Sequence, residues 1–289
     1  MANLKEIRSR IKSVKNIQKV TKAMKMVAAA KLRKSQENME QARPYENRLK
    51  KLISYLSNSS YAQNLPLLKS KHTIETLGLV IVTADRGLAA SFNTNIIKKA
   101  EQEINNMGKN NVKLICIGKK GYEYFHKRGY HVIAEYIDFW NELNFNTAIN
   151  IGSNIQTIFL SNQCDEIKVI FNYFKNVATQ EVIFESLLPI KSNIEDNLDN
   201  TFSDDIIFEP SKEEILNLLI PKHLNTQIWK YLLESFASEQ GARMIAMENA
   251  TENAGDMISD LTLEFNKARQ TAITTEMLEI VGGAEALSN

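Results

Sequence analysis

The chain has 289 residues, a length that suggests two structural units. Its 44% hydrophobic and 24% charged content is that of an ordinary soluble globular protein. A net charge of +1 offers no whole-molecule attraction for nucleic acid or an anionic membrane, and no run approaches the ~18 apolar residues that read as a spanning helix.

Charge is nevertheless distributed unevenly. Met1 to Lys34 holds eleven Lys/Arg and one acid, Glu6, whereas Lys212 to Asn289 holds twelve Asp/Glu against six Lys/Arg. Opposite signs at the two ends are expected of segments that meet. The basic, acid-poor start could be mistaken for a transit peptide, but its helical pattern runs on past Lys34 without a processing site. It is read as mature structure.

The first predicted element is a helix from about Asn3 to Ser57. Leu4, Ile7, Ile11, Val14, Gln18 and Thr21 alternate spacings of 3 and 4, a heptad seam with two polar members. The phase resumes at Ala28, Leu32, Ser35, Met39 and Ala42. A second stripe, Ile17, Val20, Met24 and Val27, gives this helix two apolar faces, so a single partner helix would leave one uncovered. Pro44 is expected to bend the helix, and Asn58-Ser59-Ser60 to stop it. Pro66 marks the link to the next unit.

From about Thr73 to Phe208 the pattern changes. Runs rich in β-branched residues occur at Leu77–Thr83, Val112–Ile117, Tyr130–Ala134, Glu166–Tyr173 and Glu181–Leu188. Helical stretches lie between several of them, at Asn93–Met107, Lys120–Lys127 and Thr147–Asn162. Alternating strands and helices predict an α/β layer domain whose sheet is parallel at its start. Ile190–Asp205 is acidic and Asn-rich and reads as a loop.

The last segment, about Ser211 to Leu287, is a second long helix. Met244, Met247, Thr251, Ala254, Ile258, Leu261, Phe265, Ala268, Ala272 and Thr275 keep the seam throughout. Gly241 and Gly255 each weaken the helix by about 1 kcal/mol relative to alanine; close approach of another backbone or simple tolerance accounts for them equally well. At 1.5 Å per residue this helix would be about 110 Å long and the first roughly 85 Å. Two such helices flanking one compact domain pair only if they leave it on the same side, which makes them antiparallel. The longer one should project alone, and its nearly uncharged end, Ile280 to Leu287, is the expected free tip.

Chemistry is sparse. The first strand ends Val82-Thr83-Ala84-Asp85-Arg86-Gly87-Leu88, neither a dinucleotide fingerprint nor a Walker loop. Gly118-Lys119-Lys120-Gly121 has room for an anion but lacks the magnesium-binding Ser/Thr. His72, His126, His131 and His223 have no metal-ligand spacing. No paired carboxylate stands out, so no cofactor or metal is expected. Cys116 and Cys164 lack a CxxC spacing and are expected to be buried thiols in a reducing compartment. Lysines spread around the first helix, with no aromatic before Lys34, suit an acidic protein surface better than nucleic acid. A coiled-coil scaffold, a nucleic-acid binder and a nucleotide-dependent enzyme with coiled-coil arms remain alternatives.

Longer motifs are more specific. Ile7-Arg8-Ser9-Arg10-Ile11 and Thr21-Lys22-Ala23-Met24-Lys25-Met26-Val27-Ala28-Ala29-Ala30-Lys31 resemble the N-terminal helix of the gamma subunit of F-type ATP synthase. Ser238-Glu239-Gln240-Gly241-Ala242-Arg243-Met244, Ala246 to Thr251, Asn266 to Gln270 and the run from Ile273 to Ala286 resemble its C-terminal helix. Thr83 to Leu88 is similar to its first-strand loop. That family often continues with Cys and Gly after the leucine, where this chain has Ala89, Ala90 and Ser91. The cysteine-bearing insertion of chloroplast members is not evident, so thiol regulation is not expected.

The resemblance implies a fold of mixed class: a long antiparallel coiled coil of residues 1–60 and 211–287 with a central Rossmann-like α/β domain over 73–208. It implies a non-catalytic rotor shaft with the alpha and beta subunits, the epsilon subunit and the c-ring as partners. Membrane contact would come only through the complex, on the cytoplasmic side of a bacterial inner membrane. It implies that Met24 and Lys25 face the lever region of the beta subunit. Arg243, Arg269, Gln270, Thr274 and Glu276 would make polar contacts that couple rotation to catalysis.

Overall fold

The structure, a computed structural model, describes residues 4–57, 65–71, 73–190 and 208–288, with side chains to residue 284. The expected stop at 58–60, most of the acidic loop before 205, and His72 lie outside the described residues. The chain divides into two compact units, Met1–Ala28 with Met244–Asn289 and Ala29–Arg243. The boundary therefore falls within both terminal helices.

Elements in order are α1 (Leu4–Ser57), β1 (Leu77–Val82), α2 (Phe92–Met107), β2 (Val112–Ile117), α3 (Lys119–Lys127), β3 (Val132–Tyr136), α4 (Phe145–Leu160), β4 (Glu166–Phe174), β5 (Gln180–Leu188) and α5 (Lys212–Ser288). In the unit of residues 29–243 the strands form one sheet in the order β3-β2-β1-β4-β5. The first four strands run parallel, and β5 returns antiparallel along β4 through a short turn. α2 and α3 connect neighbouring parallel strands, and α4 carries the chain from β3 across to β4 on the far side of β1.

The central strands are apolar at nearly every position because both faces are covered. Leu79, Ile81, Leu114, Cys116 and Ile170 pack with Ile96, Ala100 and Ile104 of α2 and Phe125 of α3. Val80, Val82, Ile115, Ile117 and Val169 face Ile151, Ile155 and Ile158 of α4. Leu216, Ile220, Leu224 and Ile228 from the first turns of α5 and Leu56 from the end of α1 close that side. The terminal helices thus supply part of the domain core.

α1 runs through Pro44 as one helix. Proline removes the amide that would bond the carbonyl four residues back, and both Glu40 and Pro44 are exposed. Both cysteines are buried free thiols. Burial raises Cys116 to about 12, with Glu135 adding to it, and Cys164 to about 11, so neither forms a thiolate at neutral pH. Among the described residues no helix is long and apolar enough to cross a membrane.

Candidate functional site

The nearest thing to a ligand cradle lies at the carboxyl ends of β1 and β2, where an open α/β sheet usually binds its ligand. Here the chain fills that position itself. The backbone N–H groups opening α3 donate inward: Lys119 to the Asp85 carboxylate at 2.8 Å, Lys120 to the Ala84 carbonyl at 3.0 Å and Gly121 to the Thr83 hydroxyl at 2.9 Å. Asp85 also accepts from the Asp138 amide at 2.8 Å. An aspartate thus occupies the helix N-terminus that a phosphate would need. Gly118 has φ +95, and a Cβ there would fall 1.9 Å from the Thr83 carbonyl oxygen, so only glycine lets the two strand ends approach so closely. The glycines of Gly118-Lys119-Lys120-Gly121 serve this internal plug, and the amides a phosphate would use are bonded within the chain.

The loop after the plug is strained. Leu88 (φ 62) and Ala90 (φ 46) adopt left-handed backbone, which costs of order 1–3 kcal/mol for a residue with a Cβ. Asn93 at the start of α2 accepts from the Ala84 amide at 2.9 Å. Arg243, on α5, donates to the Gly87 carbonyl at 3.1 Å and pairs with Glu239 one turn earlier. That pair is nearly dry, with the two side chains 11% and 7% exposed. Burial raises the Glu239 carboxyl, and Arg243 opposes the shift.

Neighbouring polar residues of α5 do structural work that sequence reasoning missed. Glu234 accepts from the Phe174 amide at 3.0 Å, Ser235 from the Asn172 amide at 3.3 Å, and Ser238 donates to the Asn172 carbonyl at 3.2 Å. They satisfy backbone groups of β4 beyond the end of its pairing with β1, whose last partner pair is Ile81 and Ile170. The signal was present as a cluster of small and acidic residues from Glu234 to Gln240 within an otherwise apolar face.

In the unit of residues 1–28 and 244–289, α1 and α5 pack antiparallel. The Thr21 and Thr251 hydroxyls meet at 2.7 Å, Lys25 pairs with Glu248, and the Arg8 guanidinium lies 5.4 Å from the centre of the Phe265 ring. The seam residues Ile7, Thr21, Ala28, Met247 and Ala254 are buried. Gly255 leaves room for Gln18, whose Nε2 would stand 3.3 Å from an added Cβ. Gly241, in the other unit, faces the Phe174 ring at the same distance. Backbone approaches only Gly241, where the Val177 carbonyl oxygen would stand 3.5 Å from an added Cβ; at Gly255 the neighbour is the end of a flexible side chain.

The expected sign rule between the helices holds only locally. Lys25–Glu248 puts the base on α1, but Lys230–Glu46, in the other unit, puts it on α5. The apolar seam therefore sets the pairing, and the charges follow it.

Met24 and Lys25 are half-buried beside an open groove of about 550 Å³ lined by Gln18, Lys19, Lys22, Lys25, Met26, Glu248, Thr251 and Glu252. Of the second stripe, Ile17, Val20 and Val27 are more than half exposed. The seam of α5 is last buried at Ala254 and half-buried from Ile258 to Ala268, and its sequence continuation, Ala272 and Thr275, is exposed. Leu4, the first described residue of α1, lies three residues before Ile7, so described partner residues run out at this level. From Arg269 to Ala284 every residue is exposed, including the apolar Ile273, Met277, Leu278, Ile280 and Val281.

Arg269, Gln270, Thr274 and Glu276 lie together on this lone helix. Among the described residues Thr274 bonds its own helix, donating to the Gln270 carbonyl at 2.9 Å. The structure thus brings four of the seven candidates onto one exposed segment and two beside the groove. Arg243 belongs to the other unit, committed to Glu239 and Gly87.

These features have counterparts in known proteins. A family model described as ATP synthase matches residues 3–287. The ATP synthase gamma chain of Chloroherpeton thalassium is 47% identical over 300 residues, covering 99% of each chain. That of Cytophaga hutchinsonii is 47% identical over 295 residues, covering all of both. The central stalk/c-ring structure of the Tetrahymena thermophila mitochondrial ATP synthase contains a chain similar at TM-score 0.63 and 30% identity. The match covers 80% of this chain and 99% of that one. A chain of the Euglena gracilis mitochondrial ATP synthase shares the fold at TM-score 0.69 and 20% identity, over 98% and 94%. With a family model and gamma-chain relatives matched along the whole length, the chain belongs to the ATP synthase gamma family.

Proposed function

We propose that this chain is the central rotor shaft of an F-type ATP synthase, a non-catalytic subunit that couples proton-driven rotation of the c-ring to conformational change at the catalytic sites of the alpha/beta ring. The observation that carries the reading is the lone end of α5. Five large apolar residues between Ile273 and Val281 are exposed with no partner among the described residues. A helix apolar on several faces belongs inside an enclosing surface, and a ring of larger subunits provides one.

In this reading residues 1–60 and 211–287 act as the shaft. Residues 73–208 act as the domain that meets the epsilon subunit and the c-ring. The chain would be peripheral, held through the complex on the cytoplasmic side of a bacterial inner membrane. Arg269, Gln270, Thr274 and Glu276 would contact the ring near the free end, and Met24 and Lys25 the lever region of the beta subunit. Arg suits bidentate carboxylate contact. An asymmetric shaft meets three alike sites differently, and moving a two-state site from 1:99 to 99:1 takes about 5.5 kcal/mol of differential interaction. Linkage then requires nucleotide binding to push back on the shaft.

Purification under native conditions tests this. The chain should emerge with alpha, beta and epsilon subunits and the c-ring, in vesicles that acidify on adding ATP. Recovery alone, or with nucleotide-binding activity of its own, would overturn the reading.

A further inference from the structure

We infer that Ser235 and Ser238 of α5 are positioning residues: by gripping both backbone groups of Asn172 they key the shaft helix to the sheet, so that torque passes between the two without the helix turning in its seat. The use of the joint under torque rests on the shaft reading; its geometry does not.

β1 pairs with β4 only as far as Ile81 and Ile170. Two residues further along β4, a helix takes the place of the missing strand. The Asn172 amide donates to the Ser235 hydroxyl at 3.3 Å, and the Ser238 hydroxyl donates to the Asn172 carbonyl at 3.2 Å. Residues three apart share one helix face, so one face of α5 holds both groups of a single strand residue. Glu234 adds a bond from the Phe174 amide at 3.0 Å. Asn172 is anchored in turn, its Nδ2 donating to the Phe92 carbonyl at a long 3.4 Å. From α1, the Ser35 hydroxyl donates to the Leu233 carbonyl at 3.1 Å. Asn172 and all three serines are buried.

These bonds are not needed to seat α5. Leu216, Ile220, Leu224 and Ile228 already do so by apolar burial. Apolar attraction is non-directional, whereas a hydrogen bond weakens steeply once bent below about 120°. A side-chain atom ~5 Å from the helix axis moves roughly 2 Å when the helix turns by about 20°, enough to break the bonds to β4 together. Breaking them strips the buried Asn172 amide and carbonyl of their partners in α5, which costs more than an ordinary hydrogen bond contributes. The hydroxyls therefore add a rotational stop that burial alone lacks. α5 continues from here to Ser288 as a single helix, so an angle fixed at residues 234–238 is handed on through its backbone.

The test uses membrane vesicles with the assembled complex carrying Ser235→Ala together with Ser238→Ala. It is compared with Ile155→Val, a core change on α4 that leaves the joint intact. Amide hydrogen exchange over residues 171–175 should rise about fivefold in the serine pair and stay at the wild-type rate in Ile155→Val. With no opposing pH gradient, the serine pair should pump as many protons per ATP as wild type. Against the gradient that wild type sustains, its pumping should fall by roughly half or more while ATP turnover continues, because the helix slips in its seat. Ser238→Ala alone should lose about half as much, and it decides by the same readouts if the pair does not assemble. Unchanged exchange over 171–175 overturns the grip. Faster exchange with wild-type pumping at every gradient overturns the role under torque and leaves the shaft reading intact. A fall that Ile155→Val shares, or that is as large without a gradient, marks general loosening and overturns that role as well. Failure of the wild-type chain to assemble with a ring strikes the shaft reading instead.

Discussion

The sheet in residues 29–243 and the helix pair of 1–28 with 244–289 use apolar surface in opposite ways. The sheet hides both faces, and its central strands keep almost nothing exposed. The helix pair hides one seam and exposes a second stripe at Ile17, Val20 and Val27, then an entire helix end. A fold that needed only to be stable would not leave that surface uncovered. Sheet substitutions should therefore register as stability, and helix-end substitutions as activity of the complex with little change in stability.

The largest effect should come from Gly118→Ala. The new Cβ would collide with backbone, not with a flexible side-chain end, and φ is positive. A loss above about 3 kcal/mol is expected, measured by denaturant unfolding. A loss under 1 kcal/mol would mean the plug of Thr83 and Asp85 yields easily.

Next is a pH dependence in the same unit. Burial, with Lys50 and Lys230 adding to it, lowers His223 from 6.5 to about 4, and its Nδ1 has no hydrogen-bond partner. The unfolded chain takes up a proton near 6.5, and the folded chain only near 4. Between those values the unfolded state binds more protons, so stability falls as pH drops from 6.5 toward 4. The contribution approaches about 3 kcal/mol at the low end. His223→Leu should flatten that part of the curve relative to wild type; parallel curves would refute the assignment.

The opposite outcome is expected at the free helix end. Arg269 is exposed in the chain by itself, so Arg269→Ala should change unfolding free energy by less than about 0.5 kcal/mol. Loss of a charge-assisted contact of about 1.4 kcal/mol would slow ATP turnover of the assembled complex roughly tenfold. Normal turnover with normal assembly would remove Arg269 from the contact set.

The same contrast separates the features that are legible in the sequence from those that are not. β-branched runs place all five strands to within a residue or two; β1, β2 and most of β4 are buried on both faces and write a continuous apolar signal, while the edge strands β3 and β5 are only partly buried. The 3,4 spacing places both seams, and its persistence at Ala272 and Thr275 misleads only because a periodic pattern carries no record of where the partner ends. Pro44 leaves open from sequence whether the helix continues past it, and α1 runs through it unbroken. The plug on α3 and the Arg243–Gly87 tie are illegible for another reason. Each joins residues distant in sequence, Asp85 with Lys119 and Arg243 with Gly87, through single hydrogen bonds that leave no periodic trace. The exposed candidates Arg269 to Glu276 rest on resemblance alone, since an exposed polar helix looks alike whether or not something grips it.

The smallest effect tests the seam itself. Thr21 and Thr251 put two hydroxyls where a coiled coil prefers carbon. Thr251 donates to the Met247 carbonyl at 2.7 Å, which leaves its oxygen to accept from Thr21 at 2.7 Å. Thr251→Val removes that acceptor, but Thr21 retains the Gln18 carbonyl at 3.1 Å as an alternative. The loss should therefore stay near the low end of a net hydrogen bond, about 0.5 kcal/mol. The pair Thr21→Val with Thr251→Val should recover it, because two methyl groups fill the same seam without an unmet donor. A double mutant less stable than either single one would mean that the hydroxyl pair sets the register of α1 on α5, and polar seam residues would then have to be counted among the features that orient the two helices.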